Sequence, residues 1–502
     1  MLGGISRRVF LGGVVSAVAG VAVGEAPLKS LRPLPRPVGP AGAAPGAVAK
    51  APEIDALIAQ AQLGGRVGFV VADGRTGEVL EGRAANMKLP PASVTKAVTA
   101  LYAFDTLGPA FRYETQFVAT GPVVEGTVQG DLMLVGSGDP MFDTDALSAM
   151  VARLKAAGVK AVSGRFLVFA GALPYIRAID PRQPEEVGYN PAISGTNLNF
   201  NRVHFQWQRV GSGWDVSMDA RSETLKPAVT VAKTAVVNRQ EPTYTYTAEE
   251  GVDEWTVAAA ALGNGGSRWL PVRRPDLYVG EVTQVIARAH GISLPAPHSA
   301  DAVAAGTVLV QHESASLSAI VREMLLHSTN LAAEVIGLTA TAKRGRPSGS
   351  LEASAAAMTE WMHERIGARG ALFVDHSGLS DLSRVSAADL VKLLVTAQPG
   401  GALHAHMKEI VPVDERGEAV ANPGFRVNAK TGTLNFVSSL AGFVTGPGDK
   451  ALAFAILSGD TSRRAEIEPE DMERPDGARA WAKRSRWLQQ QLINRWTALY
   501  RA

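Results

Sequence analysis

The chain has 502 residues, 46% of them hydrophobic and 20% charged, with a formal net charge of +2. That length exceeds one ordinary core and predicts two or three globular domains. The near-neutral balance demands no basic patch of the kind nucleic acid needs. The absence of cysteine excludes disulfides, thiolate metal sites, a cysteine nucleophile and a lipid-modified N-terminal cysteine.

In chain order, Ser6-Arg7-Arg8-Val9-Phe10-Leu11-Gly12 sets paired arginines ahead of an apolar run that reaches about Val23. This predicts a twin-arginine export signal over 1–26, cut after Gly24 or Ala26, and a periplasmic destination. An ordinary secretory signal or a short membrane anchor is the alternative reading. The run is short of the roughly 20 residues that a membrane helix needs, so no stable transmembrane span is expected once the signal is cut. The twin-arginine route carries folded protein, which agrees with a chain free of cysteine. Residues 27–50 are rich in Pro, Ala and Gly, cannot bury a core and read as a tether.

A first helix is expected over Pro52 to Gln62, then a hairpin from Val67–Ala72 through Asp73-Gly74-Arg75-Thr76-Gly77 to Glu78–Glu81. Pro90-Pro91 stop extension, and Val94, Val98, Leu101 and Phe104 repeat at helical spacing up to Gly108-Pro109. Ser93 therefore falls at or near a helix N-terminus, with Lys96 one turn on and on the same side.

From about Arg112 short alternating runs appear, cut by turns such as Gly136-Ser137-Gly138-Asp139-Pro140. Apart from one helix at Asp143–Ala157 this strand-rich texture continues to about Ala304, so 112–304 is read as a β-rich insertion. Helices return at Ser316–His327, Leu331–Lys343, Leu351–Ile366 and from Ser386, the last opened by a Ser386-x-x-Asp389 capping box. An antiparallel meander follows: Arg426–Thr431, Val437–Val444 and Ala451–Leu457, with turns at Gly432–Asn435 and Gly446–Asp449. A closing helix, Ala478–Tyr500, aligns Trp481, Leu488, Leu492 and Leu499 on one face and Arg479, Lys483, Arg486 and Arg495 on the other. It is expected to pack on a sheet rather than lie on a membrane.

Three triplets carry the chemistry: Ser93-Val94-Thr95-Lys96, Ser328-Thr329-Asn330 and Lys430-Thr431-Gly432. Each alone has a local explanation: a helix cap with a solvated lysine, Asn330 capping the helix from Leu331, and a strand end with a turn glycine. In this order, on a helix start, a helix–helix junction and a late strand, they form an acylating serine site whose proton is handled by lysine. Ser93 is the nucleophile and Lys96 the base. An ordinary lysine must drop by about three pKa units to be neutral near pH 7, and burial beside the cation Lys430 is the expected cause. Ser328 relays a proton to the leaving nitrogen, and Asn330 holds Lys96 and the substrate amide. The strand edge pairs with substrate backbone, Lys430 and Thr431 take a terminal carboxylate, and Gly432 admits the substrate closely. The Ser93 and Thr433 N–H groups form the oxyanion hole. His327 and His376 lack a serine–histidine–aspartate setting. His404-Ala405-His406 lacks an acidic or cysteine partner for a metal and reads as surface. No metal and no cofactor is expected.

These residues resemble the class C low-molecular-mass penicillin-binding proteins, the D-alanyl-D-alanine carboxypeptidase/endopeptidases, from about residue 51 to the C-terminus. Pro91-Ala92-Ser93-Val94-Thr95-Lys96, Ser328-Thr329-Asn330 and Lys430-Thr431-Gly432-Thr433 carry the resemblance. Gly136–Pro140, Leu198-Asn199-Phe200-Asn201-Arg202-Val203 and Asp375-His376-Ser377-Gly378-Leu379-Ser380 support it. Ser328 lies 235 positions after Ser93 (328 − 93), an interval similar to that of this family and far longer than in class A β-lactamases. The resemblance implies an α+β, β-lactamase/transpeptidase-like domain over 51–111 and 305–502, an antiparallel sheet flanked by helices, split by the 112–304 insertion. It further implies attack by Ser93 on the terminal D-alanine bond of peptidoglycan stem peptides, an acyl-enzyme hydrolysed by water, cleavage of D-alanyl cross-links, and acylation by penicillin and other β-lactam antibiotics to an adduct that is hydrolysed slowly. Two positions depart from the family: Thr329 stands where aspartate is frequent, and Phe169-Ala170-Gly171 replace an aspartate that helps read diaminopimelate. A β-lactamase or esterase of the same fold would need a dedicated base for the deacylating water, and no glutamate stands in a recognisable motif for it. A non-catalytic peptidoglycan-binding protein would not need complete triplets.

Overall fold

The computed structural model describes residues 52–500 apart from 250, 449, 469 and 470. The expected export signal and tether lie outside the described residues.

A six-stranded antiparallel sheet organises the outer parts of the chain. Its strands run in the order Lys408–Ile410, Arg426–Leu434, Val437–Thr445, Ala451–Gly459, Arg66–Asp73, Val79–Arg83. Both faces are covered, which is why Ala451–Gly459 is buried at every position and reads as an unbroken apolar run. The pleat sends neighbours to opposite cores. Phe69, Val71, Phe454 and Ile456 face a core closed by the helices Ile54–Ala61 and Ala478–Tyr500. Val70, Ala72, Ala453 and Ala455 face a second core built with the helices Thr95–Leu107, Leu317–His327, Asn330–Lys343, Leu351–Arg365 and Ala387–Ala397.

The closing helix packs on the sheet as expected, burying Trp481, Leu488, Leu492 and also Trp496. Two expectations about it fail. Leu499 is exposed, because the larger Trp496 ring takes the end of the apolar stripe. Arg495 is not on the solvated face: its guanidinium pairs with Glu81, which also accepts the Trp496 indole N–H at 2.8 Å. The Ser386 box is half formed. Ser386 Oγ accepts the Asp389 N–H, but the Asp389 carboxylate takes the Ser386 hydroxyl instead of the backbone N–H.

Another core is drawn wholly from residues 117–310. It backs a mixed five-stranded sheet ordered Pro297–Ala300, Phe166–Phe169, Leu132–Val135, Glu114–Ala119, Thr307–Glu313, and lies against smaller three-stranded sheets. The segment is less purely β than expected: a 15-residue helix, Pro275–Ala289, crosses it. Its β-favouring Tyr278, Val279, Val282, Thr283 and Ile286 repeat at helical spacing and are all buried, so packing overrides propensity. Pro275 at the first position and Asp276 in the first turn were the local start signal.

The helix Asn330–Lys343 underlies everything that follows. Its Gly337 is a packing glycine: an added Cβ would sit 2.1 Å from the ring of His376, which is buried and bonded to Ser354 Oγ at 2.8 Å. Burial holds His376 neutral, down to about 3. Gly337→Ala is expected to cost about 3 kcal/mol of stability through overpacking, read by urea unfolding; a loss under about 1 kcal/mol would contradict this packing.

Candidate active site

The nucleophile turn is set by backbone. Pro90 and Pro91 lead into Ala92, which adopts a left-handed φ of 47°, and Ser93 lies in the 3₁₀ turn Ala92–Val94 just ahead of the helix Thr95–Leu107. A left-handed alanine stores about 1–3 kcal/mol, and two glycines hold it there. A Cβ on Gly378 would lie 1.9 Å from Ala92 O, and one on Gly432 would lie 2.6 Å from Pro91 O and 3.0 Å from Ser93 N. The serine turn is thus clasped between two chain segments that approach as only glycine allows. The missing side chain of Gly432 thus makes room for the protein's own nucleophile turn, a role beyond the one expected of it.

Lys96 is fully buried one helical turn beyond. Its Nζ lies 3.0 Å from Ser93 Oγ, 2.7 Å from Asn330 Oδ1 and 2.7 Å from Ser377 O. A neutral amine has two N–H bonds and one lone pair. The amide oxygen and the carbonyl oxygen are acceptors only, so they claim both N–H bonds and leave the lone pair aimed at the Ser93 hydroxyl. Burial pushes Lys96 down to about 7, against the opposing pull of Glu334 and Asp375. The expected cause was half right: desolvation lowers Lys96, whereas the repulsion between the two lysines registers on Lys430, which burial and Lys96 hold well below its ordinary value.

Asn330 does not cap its helix. Thr329 is the N-cap, and Asn330 is the first helical residue. The Asn330 side chain is spent instead on Lys96 and on Tyr189 O, to which Nδ2 donates at 2.9 Å. Ser328 ends the preceding helix in a left-handed conformation (φ 57°), and its Oγ accepts from Lys430 Nζ at 2.9 Å. One cluster therefore holds Ser93, Lys96, Ser328, Asn330 and Lys430.

The third triplet does not end its strand. Arg426–Leu434 runs on through Thr433 in register with Val437–Thr445, and the turn is made at Asn435-Phe436 with Phe436 at φ 58°. Alternation buries Lys430 and Gly432 and exposes Thr431 and Thr433. The outer neighbour, Lys408–Ile410, pairs only with residues 427–429. Among the described residues no strand pairs with the outer edge from Lys430 onward, which leaves that edge beside Ser93 without a strand partner, although Thr431 O accepts from Lys430 Nζ at 2.9 Å.

A family model described as the D-Ala-D-Ala carboxypeptidase 3 (S13) family matches residues 50–475. The chain belongs to this family. It is similar to the D-alanyl-D-alanine carboxypeptidase of Actinomadura sp. (strain R39), 29% identical over 456 residues, which cover 84% of this chain and 82% of the relative. It also resembles Carboxypeptidase Rv3627c of Mycobacterium tuberculosis, 27% identical over 84% of this chain and 82% of that protein. Among solved structures, penicillin binding protein 4 (dacB) from Haemophilus influenzae superposes with a TM-score of 0.69 at 20% identity, covering 88% of this chain and 98% of that one. That match shows the fold to be the α+β, transpeptidase-like one.

In this S13 member, sequence reasoning missed the residues beneath and above Lys96. The Asp375–Ser380 segment was marked only as a supporting motif, yet Ser377 supplies a carbonyl to Lys96. Asp375 accepts the Gly378 and Ser380 N–H groups at 2.9 and 2.8 Å and so shapes the loop. Burial raises Asp375 to about 6. Glu334, four residues after Asn330, is fully buried below the loop. Tyr189 and Arg182 come from the central segment. Arg182 pairs with Asp381 at 2.8 Å, which also binds Arg464, whose other nitrogen donates to Asn435 O. The histidines enter no metal group among the described residues. His404 is not a surface group as expected: it is half-buried, stacked on Phe443 at 4.6 Å and bonded to Gly400 N.

Gly432→Ala is expected to displace the serine turn and lower the rate of Ser93 acylation by a fluorescent penicillin about a hundredfold, while the protein still unfolds cooperatively. An acylation rate unchanged in the folded variant would refute the clasp.

Proposed function

We propose that Ser93 is the acylated residue of this S13 enzyme, a serine D-alanyl-D-alanine carboxypeptidase/endopeptidase acting on peptidoglycan stem peptides. One observation carries the assignment: a fully buried lysine whose two other partners accept only, so that its lone pair faces the serine hydroxyl. Lys96 takes the Ser93 proton as Oγ bonds to the penultimate D-alanine carbonyl. The oxyanion is met by the Ser93 and Thr433 N–H groups, and the tetrahedral adduct breaks its C–N bond. The leaving nitrogen takes a proton through Ser328, which Lys430 orients at 2.9 Å. Free D-alanine departs carrying the proton that Lys96 took from Ser93, relayed through Ser328. Water then attacks the ester and gives a proton to the freed Lys96 amine, and that proton returns to Ser93 Oγ as the ester bond breaks. Cleavage of a D-alanyl cross-link follows the same course with a longer leaving amine. The substrate backbone adds to the free edge of Arg426–Leu434, with Lys430, Thr431 and Thr433 toward its carboxylate. A β-lactam follows the first half of this path and leaves a slowly hydrolysed acyl-enzyme.

In this proposal residues 51–111 and 314–502 form the catalytic domain and 112–313 an inserted module with its own core, which runs past the expected boundary at 304 because the strand Thr307–Glu313 pairs with Glu114–Ala119. The paired arginines support export by the twin-arginine route to the periplasm, with 1–26 as signal and 27–50 as tether. No helix among the described residues is long and apolar enough to cross a membrane.

Ser93→Ala is expected to abolish covalent labelling by fluorescent penicillin and release of D-alanine from a D-Ala-D-Ala peptide; equal labelling of wild type and variant would sink the assignment. The pH dependence has a fixed sign. The base form of Lys96 is the neutral one and its pKa is lowered to about 7, so acylation falls about tenfold per unit below that pH and levels off above it. A rate still climbing through pH 9 would contradict this.

A further inference from the structure

Glu334 has no place in the steps above, yet it is fully buried directly under them. It stands four residues after Asn330 and three before Gly337, so the three share one stripe of the helix Asn330–Lys343. That stripe is a template for the loop 375–380. Asn330 meets Lys96, Gly337 admits the His376 ring, and Glu334 binds the loop backbone between them. Glu334 Oε2 accepts the His376 N–H at 2.9 Å and Oε1 accepts the Ser377 N–H at 2.8 Å. Ser377, so gripped, presents its carbonyl to Lys96 at 2.7 Å.

We propose that Glu334 is a positioning residue of the acylation step: it fixes the Ser377 carbonyl that turns the Lys96 lone pair onto Ser93, and its charge sets the pH range in which Lys96 is a base. The proposal rests on Lys96 being that base. One oxygen on each backbone N–H is the arrangement a carboxylate satisfies fully. A glutamine in its place can accept only one of the two and turns an NH₂ donor toward the other. Among the described residues, Glu334, Asp375 and Lys430 face Lys96, Asp180 of the central segment faces Asp375, and Lys408 of the outer strand faces Lys430. His376 is held neutral. Burial raises Glu334 above the ordinary carboxyl range, while the two N–H bonds and Lys96 pull it back. An ionised Glu334 favours the ammonium form of Lys96, so its removal moves the onset of base activity to lower pH. A purely structural anchor would lower the rate without moving that onset.

The test is the pH profile of Ser93 acylation by fluorescent penicillin in the full chain, resolved into the dissociation constant of the non-covalent complex and the limiting acylation rate. Wild type is compared with E334Q and E334D, with thermal melts to confirm folding. E334Q is expected to lose about a hundredfold in limiting rate with the dissociation constant changed less than about threefold. Its acid limb moves to lower pH by about half a unit or more. E334D keeps the charge but is too short to hold both N–H groups, so it loses rate while its acid limb stays nearer the wild-type position than that of E334Q. Should E334Q fail to fold, E334D decides alone by its limiting rate against its dissociation constant. A limiting rate at the wild-type level in either variant, or an acid limb of E334Q at or above the wild-type position, overturns the proposal. If Ser93→Ala or Lys96→Ala still acylates normally, the acyl-enzyme reading has failed instead. An unmoved E334Q profile in an enzyme that needs both residues sinks only the role of Glu334.

Discussion

Burying an ammonium group is among the most expensive acts a protein performs, and the site of this chain is organised around having done it. Lys96 has no exposed surface. The cost of charging it in that pocket leaves it as the free amine near neutrality, and only the free amine can take a proton from a serine. Two uncharged neighbours then decide direction. Asn330 Oδ1 and Ser377 O consume the donors, so the remaining orbital has one place to point. Lys430, Glu334 and Asp375 are buried in the same pocket, and burial pushes each toward its neutral form.

The scaffold serves that pocket with backbone more than with side chains. The strained turn at Ala92 is clasped by Gly378 and Gly432, two segments separated from it by hundreds of residues, and each contact closes only without a Cβ. The sheet supplies a rigid floor through its alternating cores and stops pairing at Ala429, so that the edge beside Ser93 stays open. The central segment reaches the same place from above. Tyr189 O holds the far side of the Asn330 amide, and Arg182 joins Asp381 and Arg464 to the turn after the third triplet. A segment with its own core thus contributes to the rim of a site whose chemistry lies elsewhere.

Most of this site was legible in the sequence where side chains do the work, and little of it where backbone does. Ser93, Lys96, Ser328, Asn330 and Lys430 announce themselves by type, order and spacing, and the structure gathers all of them. Ser377 was invisible because its contribution is a carbonyl, which every residue owns. Glu334 looked like one more helix residue in an alanine-rich run; its place four positions after Asn330 was the only signal. Gly432 offers in sequence either a turn or room for substrate, and only the fold shows that the backbone of Pro91 and Ser93 also comes near it. The sheet and its helices followed from periodicity, whereas Pro275–Ala289 hid behind β-favouring residues whose helical spacing was masked by the strands around it.

The central claim is that Lys96 is neutral at the pH where the enzyme works, because it is buried. Its ε-nitrogen can be observed directly by NMR in full-length protein labelled with ¹⁵N-lysine, the signal being assigned by its loss in Lys96→Arg. The account predicts titration near pH 7, as burial sets it. A Lys96 ammonium that persists unchanged beyond about pH 9, toward the ordinary lysine range, would contradict it.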